Sequence, residues 1–215
     1  MIERERHDII LIGASEGGFQ AIGTLLAALP KPLDAAIAIT IHRSPTFVSD
    51  LAGLIRQRSG VAIVEPRAGE LFQRRRVYLA PRDSHLEIRH GALWPSDGPR
   101  ENHARPAIDV MFRSGARAYG PRVMGVLLTG NLSDGVAGLI EIKAQGGLSL
   151  VQDPADARAP EMPENAIKHD HVDIVFRLTS APAVLAQLVN GGGLDAASQV
   201  EGAQRMRRPP DRGTG

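Results

Sequence analysis

The sequence predicts an α/β fold: a doubly wound, mostly parallel sheet with helices on both faces. Three observations predict it. Short aliphatic runs rich in β-branched residues alternate with stretches of helical periodicity along most of the chain. Hydrophobic residues make up 43% of the chain and aromatics only 4%, so the core is built from Ala, Val, Ile and Leu, as in strands buried on both faces. A length of 215 residues suits one large domain with a real core.

The elements follow in order. Residues 9–12, Ile-Ile-Leu-Ile, read as a short buried strand that breaks into Gly13-Ala14-Ser15. Two glycines follow, and 19–29 has helical spacing until Pro30-Lys31-Pro32 stops it. A second buried strand covers 35–41 and ends at His42-Arg43-Ser44-Pro45. Phe47, Leu51, Leu54 and Ile55 place a helix over 47–58. Strands are expected at 61–64 and 77–81, and 85–88 alternates and turns at His90-Gly91 like one arm of a hairpin. Residues 95–105, rich in Pro, Gly, Asn and charge, read as a long loop. Then come a helix (108–119), a strongly apolar strand (123–128) and a helix (135–145) closed by Gly146-Gly147. A strand (148–152), a short helix (162–168), a last strand (172–178) and a final helix (181–189) complete the domain, drawn over 1–190. The Gly-rich and then Arg/Pro-rich stretch 191–215 reads as a disordered tail.

The totals exclude several classes of function. A net charge of +1 carries no nucleic-acid footprint. The absence of cysteine rules out disulfides, thiolate nucleophiles and Cys-ligated zinc. The first seven residues are highly charged and hold no apolar core of a signal peptide. No apolar run approaches the roughly 20 residues of a membrane span, so membrane insertion is not expected and the reading is a soluble, cytoplasmic chain. The run Arg74-Arg75-Arg76 reads as a solvated face.

In a sheet of this kind ligands bind outside the carboxyl ends of the strands. Three such ends carry a polar residue among small neighbours: Ser15, His42 and Asp134. A hydroxyl needs a base within hydrogen-bond reach, and the base needs a third group to orient it. Ser15, His42 and Asp134 supply those three types in the order Ser, His, Asp. On local sequence alone Ser15 serves equally well as a helix cap. His85 and His103 are rival bases, and Asp109, at the start of a helix where the dipole favours a carboxylate, is a rival acid. The glycines of Gly13-x-x-x-Gly17-Gly18 lack the Lys-Ser/Thr pair of a phosphate loop and the spacing of a dinucleotide fingerprint.

Several motifs follow one another along the chain. They are Ile12-Gly13-Ala14-Ser15-x-Gly17-Gly18; His42 after a buried strand; Val77-Tyr78-Leu79-Ala80-Pro81 with His85-Leu86; and Arg105-Pro106-Ala107-Ile108-Asp109-Val110-Met111-Phe112 with Ser114. Leu128-Thr129-Gly130-x-x-x-Asp134-Gly135-x-x-Gly138 follows, and then Gln152-Asp153-Pro154 with Met162-Pro163-x-x-Ala166. Over residues 8–189 the sequence resembles the catalytic domain of CheB, the chemotaxis protein-glutamate methylesterase. The resemblance implies a serine hydrolase that demethylates glutamate methyl esters, and deamidates glutamines, on the cytoplasmic helices of chemoreceptors. It implies Ser15 as nucleophile, His42 as base and Asp134 as the residue that orients His42, with the backbone N–H of Asn131 serving the oxyanion. No cofactor and no metal is implied.

The sequence also departs from the family's pattern. Members usually carry a receiver domain ahead of the esterase. With seven residues before Asp8 the expectation is a chain without one, constitutive or controlled by a separate regulatory protein. The acidic loop is commonly Gly-Met-Gly-x-Asp-Gly, and here it is Gly130-Asn131-Leu132-Ser133-Asp134-Gly135. If the third position needs φ > 0, Leu132 is strained or the loop takes another shape. Glu16 stands where a small residue is common, and its carboxylate would act on His42 if the two approach. These changes hold open a second reading, a catalytically impaired binding or signalling module.

Overall fold

A computed structural model describes residues 6–43, 49–169 and 172–206. Its strands are β1 (Ile9–Ala14), β2 (Ala36–Ile41), β3 (Ile63–Val64), β4 (Glu70–Leu71), β5 (Val77–Leu79), β6 (His85–Arg89), β7 (Ala92–Ser96), β8 (Val123–Leu127), β9 (Leu148–Gln152), β10 (Ile174–Phe176) and β11 (Ala203–Arg205). Its helices are α1 (Gly18–Ala28), α2 (Leu51–Ser59), α3 (Ile108–Tyr119), α4 (Val136–Ala144), α5 (Glu161–Lys168), α6 (Ala181–Val189) and α7 (Leu194–Ser198). Eight strands form one sheet in the order β11-β10-β9-β8-β1-β2-β5-β3, parallel except for β11. A small antiparallel sheet, β4-β7-β6, flanks it.

The aliphatic strands explain the two layers. In β1 the side chains of Ile10, Ile12 and Ala14 join one core, and those of Ile9 and Leu11 join the other. The first core is closed by Ile22, Leu25 and Leu26 of α1, Ile55 of α2 and Val184, Leu185 and Leu188 of α6. The second is closed by Met111 and Phe112 of α3, Leu139 and Ile142 of α4, Met162 of α5 and Leu86, Ile88 and Leu93 of the small sheet. Every residue of β1, β2, β8 and β9 is buried, which is why these strands read as mostly apolar, with Thr40, Ser149 and Gln152 as the buried polar exceptions. The doubly wound α/β expectation holds.

From β1 the sheet runs through β2, β5 and β3 on one side and through β8, β9, β10 and β11 on the other, so β1 and β8 lie side by side although over a hundred residues separate them. This is the point where a doubly wound sheet opens a crevice at its carboxyl edge. Ile12 is paired with Ile39 on one side and with Val126 on the other. The parallel register therefore brings the ends of β1, β2 and β8 to one edge.

Three sequence expectations need correction. The stretch from 191 is not irregular throughout. Residues 194–198 form α7, and 203–205 form β11, antiparallel to β10 with Ile174 opposite Arg205 and Phe176 opposite Ala203. The physical reason is that β10 would otherwise present unpaired backbone groups at the sheet edge, and Leu194, Ala197 and Ala203 add apolar contact to the first core. The glycines that suggested disorder act as turn residues, Gly191 and Gly202 both at φ 80. Residues 207–215 lie outside the described residues. The loop drawn over 95–105 starts two residues early, because β7 runs from Ala92 through Ser96. Helix α2 begins at Leu51, capped by Asp50, whose carboxylate accepts from the Gly53 N–H at 2.8 Å; Phe47, where the helix was expected to start, lies outside the described residues.

Candidate active site

Ser15 follows β1 directly. Its N–H donates to Thr129 O at 3.0 Å, across to the end of β8. Helix α1 is capped by Gly17 at φ 79, with no side-chain cap bond. The hydroxyl of Ser15 is thus not spent on the helix. Glycines let the chain come this close: a Cβ on Gly130 would fall 2.8 Å from Ser15 Cβ, and one on Gly13 would strike Ile108 Cγ2.

His42 follows β2, and its N–H donates to Ala14 O at 3.1 Å. Its ring lies between the other two residues, with Nδ1 3.1 Å from Ser15 Oγ and Nε2 2.6 Å from Asp134 Oδ2. An ionised carboxylate only accepts, so Nε2 carries the proton and the lone pair of Nδ1 faces the hydroxyl. The two nitrogens are used the opposite way round from the trypsin-type triad.

Asp134 is 2% exposed and heavily bonded. It accepts from the backbone N–H of Ile108 at 2.7 Å, the backbone N–H of Asp109 at 3.1 Å and Asn102 Nδ2 at 2.9 Å. The first two are free donors of the α3 N-terminus, where a helix favours negative charge. Burial works against the charge, but the His42 bond and those N–H groups outweigh it and hold the carboxyl below its usual range.

Asp109 does not touch His42. It accepts from Gly138 N–H at 2.6 Å and Asn102 Nδ2 at 2.8 Å. Burial, with the Asp134 charge beside it, pushes its carboxyl up to about 6. The rival base His85 is also placed elsewhere. Its Nδ1 accepts from the Ala107 N–H at 3.1 Å and its Nε2 donates to Pro99 O at 2.9 Å, so both nitrogens fasten the 97–107 loop to the small sheet. His103 lines the cleft from a backbone at φ 61. Arg74 forms ion pairs with Asp8 and Asp34.

The other wall of the cleft is the loop after β8. Asn131 Nδ2 donates to Glu16 Oε2 at 2.7 Å, so the Glu16 carboxylate engages this loop, with no ion pair to His42 among the described residues. Leu132 sits at φ 65, in the left-handed region. Its N–H donates to Glu161 Oε2 at 3.0 Å, and its carbonyl accepts from Asn165 Nδ2 at 2.8 Å. The backbone N–H groups of Glu16, Gly17 and Asn131 make no hydrogen bond among the described residues. The cleft measures about 670 Å³ and is lined by Ser15, His42, Asp134, Asn131, Leu132 and a rim of Arg43, Arg100 and Arg105. Among the described residues no cluster of His, Asp or Glu is placed to hold a metal ion.

Sequence reasoning missed Asn102, Glu161 and Asn165. Asn102 carried one signal, since Asn-His is a pair that tolerates the left-handed region; Asn102 and His103, at φ 50 and 61, make a tight turn closed by Glu101 and Ala104.

Residues 10–185 match the family model for CheB methylesterase. The chain belongs to that family. It is 38% identical over 183 residues to protein-glutamate methylesterase/protein-glutamine glutaminase 2 of Anaeromyxobacter dehalogenans, covering 85% of this chain and 54% of that one. It is 39% identical over 188 residues to the enzyme of that name from Photorhabdus laumondii, covering 85% and 53%. The chain thus spans about half the length of the curated relatives it matches. The crystal structure of the Thermotoga maritima CheB methylesterase catalytic domain matches with a TM-score of 0.79 and 30% identity, over 85% of this chain and 98% of that domain. No helix among the described residues is long and apolar enough to cross a membrane.

Proposed function

We propose that this chain is a serine esterase that hydrolyses glutamyl methyl esters on the cytoplasmic helices of chemoreceptors, and deamidates glutamines there by the same chemistry. One observation carries the reading: His42 bridges Ser15 Oγ and Asp134 at 3.1 and 2.6 Å. Ser15 Oγ attacks the ester carbonyl as His42 Nδ1 takes its proton. Asp134 keeps the proton on Nε2 and stabilises the imidazolium that forms. The N–H groups of Asn131, Glu16 and Gly17 are the donors available to the tetrahedral oxyanion, each worth about 2.7–4 kcal/mol in such sites. His42 then protonates the leaving methanol, and water attacks the acyl-enzyme under the same base to leave a glutamate. With an amide substrate the leaving group is ammonia.

The rim supports an acidic substrate. Arg100 and Arg105 share a single carboxylate, Asp83, at 3.0 Å each, which leaves the cleft mouth cationic beside a glutamate-rich segment. The test is methanol release from methylated chemoreceptor membranes. The wild-type chain releases methanol and Ser15→Ala does not. Equal release by both, or none by the wild type, overturns the assignment for this substrate. A fluorophosphonate probe separates the two failures: labelling that depends on Ser15 means a live nucleophile with another substrate, and no labelling means an idle site.

A further inference from the structure

Leu132 is anomalous on three counts. Its backbone lies at φ 65, a region that a branched side chain enters at a cost glycine does not bear. Its side chain is 61% exposed, so the fold recovers little apolar burial from it. Yet its backbone is fixed from both sides by helix α5, through Glu161 at the N–H and Asn165 at the carbonyl. Strained conformations persist where the surroundings over-determine them, and they cluster at functional sites. The same side chain lines the cleft that holds Ser15 and His42.

We propose that Leu132 is a specificity-determining contact, an apolar knob that packs against an aliphatic side chain carried by the substrate next to its esterified glutamate. The inference rests on the reading that the substrate is a glutamyl ester on a protein. The same cleft is lined by the cationic Arg100 and Arg105, and Leu132 adds an exposed apolar side chain to that lining. A segment that carries an aliphatic residue together with acidic residues matches both. Burying a leucine that is already exposed in the free protein adds affinity without loss of a folded-state contact, and its backbone, already held, loses no further freedom on binding.

The test measures binding in a turnover-free Ser15→Ala background by fluorescence anisotropy. Two labelled helical peptides carry a central γ-methyl glutamate, one with leucine and one with serine a turn away. The parent protein is expected to prefer the leucine peptide by about 5–10-fold. Adding Leu132→Gly is expected to abolish the preference, because glycine keeps the backbone at φ > 0 without the side chain. Leu132→Asn, which tolerates the left-handed region while being polar, is expected to do the same. Fluorophosphonate labelling of the corresponding Ser15-containing proteins checks that each variant keeps its site. A preference that survives both substitutions, or a parent with no preference, overturns the proposal. A Leu132-dependent preference in a protein that releases no methanol upholds the contact and overturns the esterase reading instead.

Discussion

The two walls of the cleft are built on different principles. On the His42 wall the two carboxylates, Asp109 and Asp134, are buried and hydrogen-bonded. Asp134 takes four hydrogen bonds, from His42, Ile108, Asp109 and Asn102, and its position is fixed by the start of a twelve-residue helix. The 130–133 wall is exposed. Its shape is held by three side chains reaching in from elsewhere, Glu16 beside α1 and Glu161 and Asn165 on α5. The difference teaches where variation is tolerated. A buried carboxylate with every lone pair engaged has no alternative arrangement, since losing a partner strands a charge. An exposed loop accepts a leucine at φ 65 when nearby side chains hold it, and water satisfies what they leave. The first wall fits invariant chemistry, and the second fits a surface that can be tuned.

The largest effect is expected from breaking the buried wall. Asp134→Asn replaces an acceptor of four bonds by a group that must turn an NH2 toward some of those donors. It also lets His42 take the wrong tautomer. In a trypsin-type triad the corresponding change lowers kcat by about 10⁴-fold, and a loss of that order in methanol release is expected here. A loss below about tenfold would mean that Asp134 does not orient the base.

A smaller effect is expected one bond further out. Asn102 donates to both Asp109 and Asp134 and so separates two carboxylates that repel. Asn102→Ala is expected to lower kcat about tenfold while leaving KM within twofold. It also carries a pH signature. The Asp109 carboxyl is raised, to about 6, by burial and by Asp134, so its contribution to stability is full below the ordinary value near 3.8 and is lost as pH rises through about 6. Removing the Asn102 bond, which favours the ionised form, pushes that carboxyl higher still. The stability gap between wild type and Asn102→Ala is therefore expected to widen between pH 4 and 7. A constant gap in Tm across that range would show that Asn102 does not bridge the pair in solution.

The legibility of the two walls differs in the same way. The strands that carry Ser15, His42 and Asp134 were readable because they are buried on both faces and so are mostly apolar runs. Helix α3 was readable from end to end, since Ile108, Met111, Phe112 and Ala116 repeat at helical spacing and are all buried. The three polar residues at those strand ends could be listed, and the structure brings them into hydrogen-bond contact. Asn102 was legible only as a turn residue, through the Asn-His pair, and Glu161 and Asn165 were not legible at all. Glu161 and Asn165 meet Leu132 across 29 and 33 residues of sequence, and no local pattern announces such a contact. Strand β11 was hidden for a related reason: the demand for it comes from the edge of β10 rather than from its own composition, which is Ala-Gln-Arg.

The smallest effect sharpens the comparison most. If α5 exists to hold a strained residue, its side chains should matter less once the strain is gone. The double substitution Glu161→Ala and Asn165→Ala removes both holds on Leu132 and is expected to lower kcat three- to tenfold, because the loop that carries the Asn131 N–H loses its fixed position. Leu132→Gly alone is expected to leave kcat near wild type and to raise stability by up to about 1 kcal/mol, read as a small rise in Tm. In the triple variant glycine reaches φ > 0 without help, so the loss in kcat from the α5 changes should shrink to under twofold. That non-additivity is the signature of a clamp acting on one backbone conformation. Simple additivity would instead mean that Glu161 and Asn165 act on the cleft by a route that does not pass through Leu132.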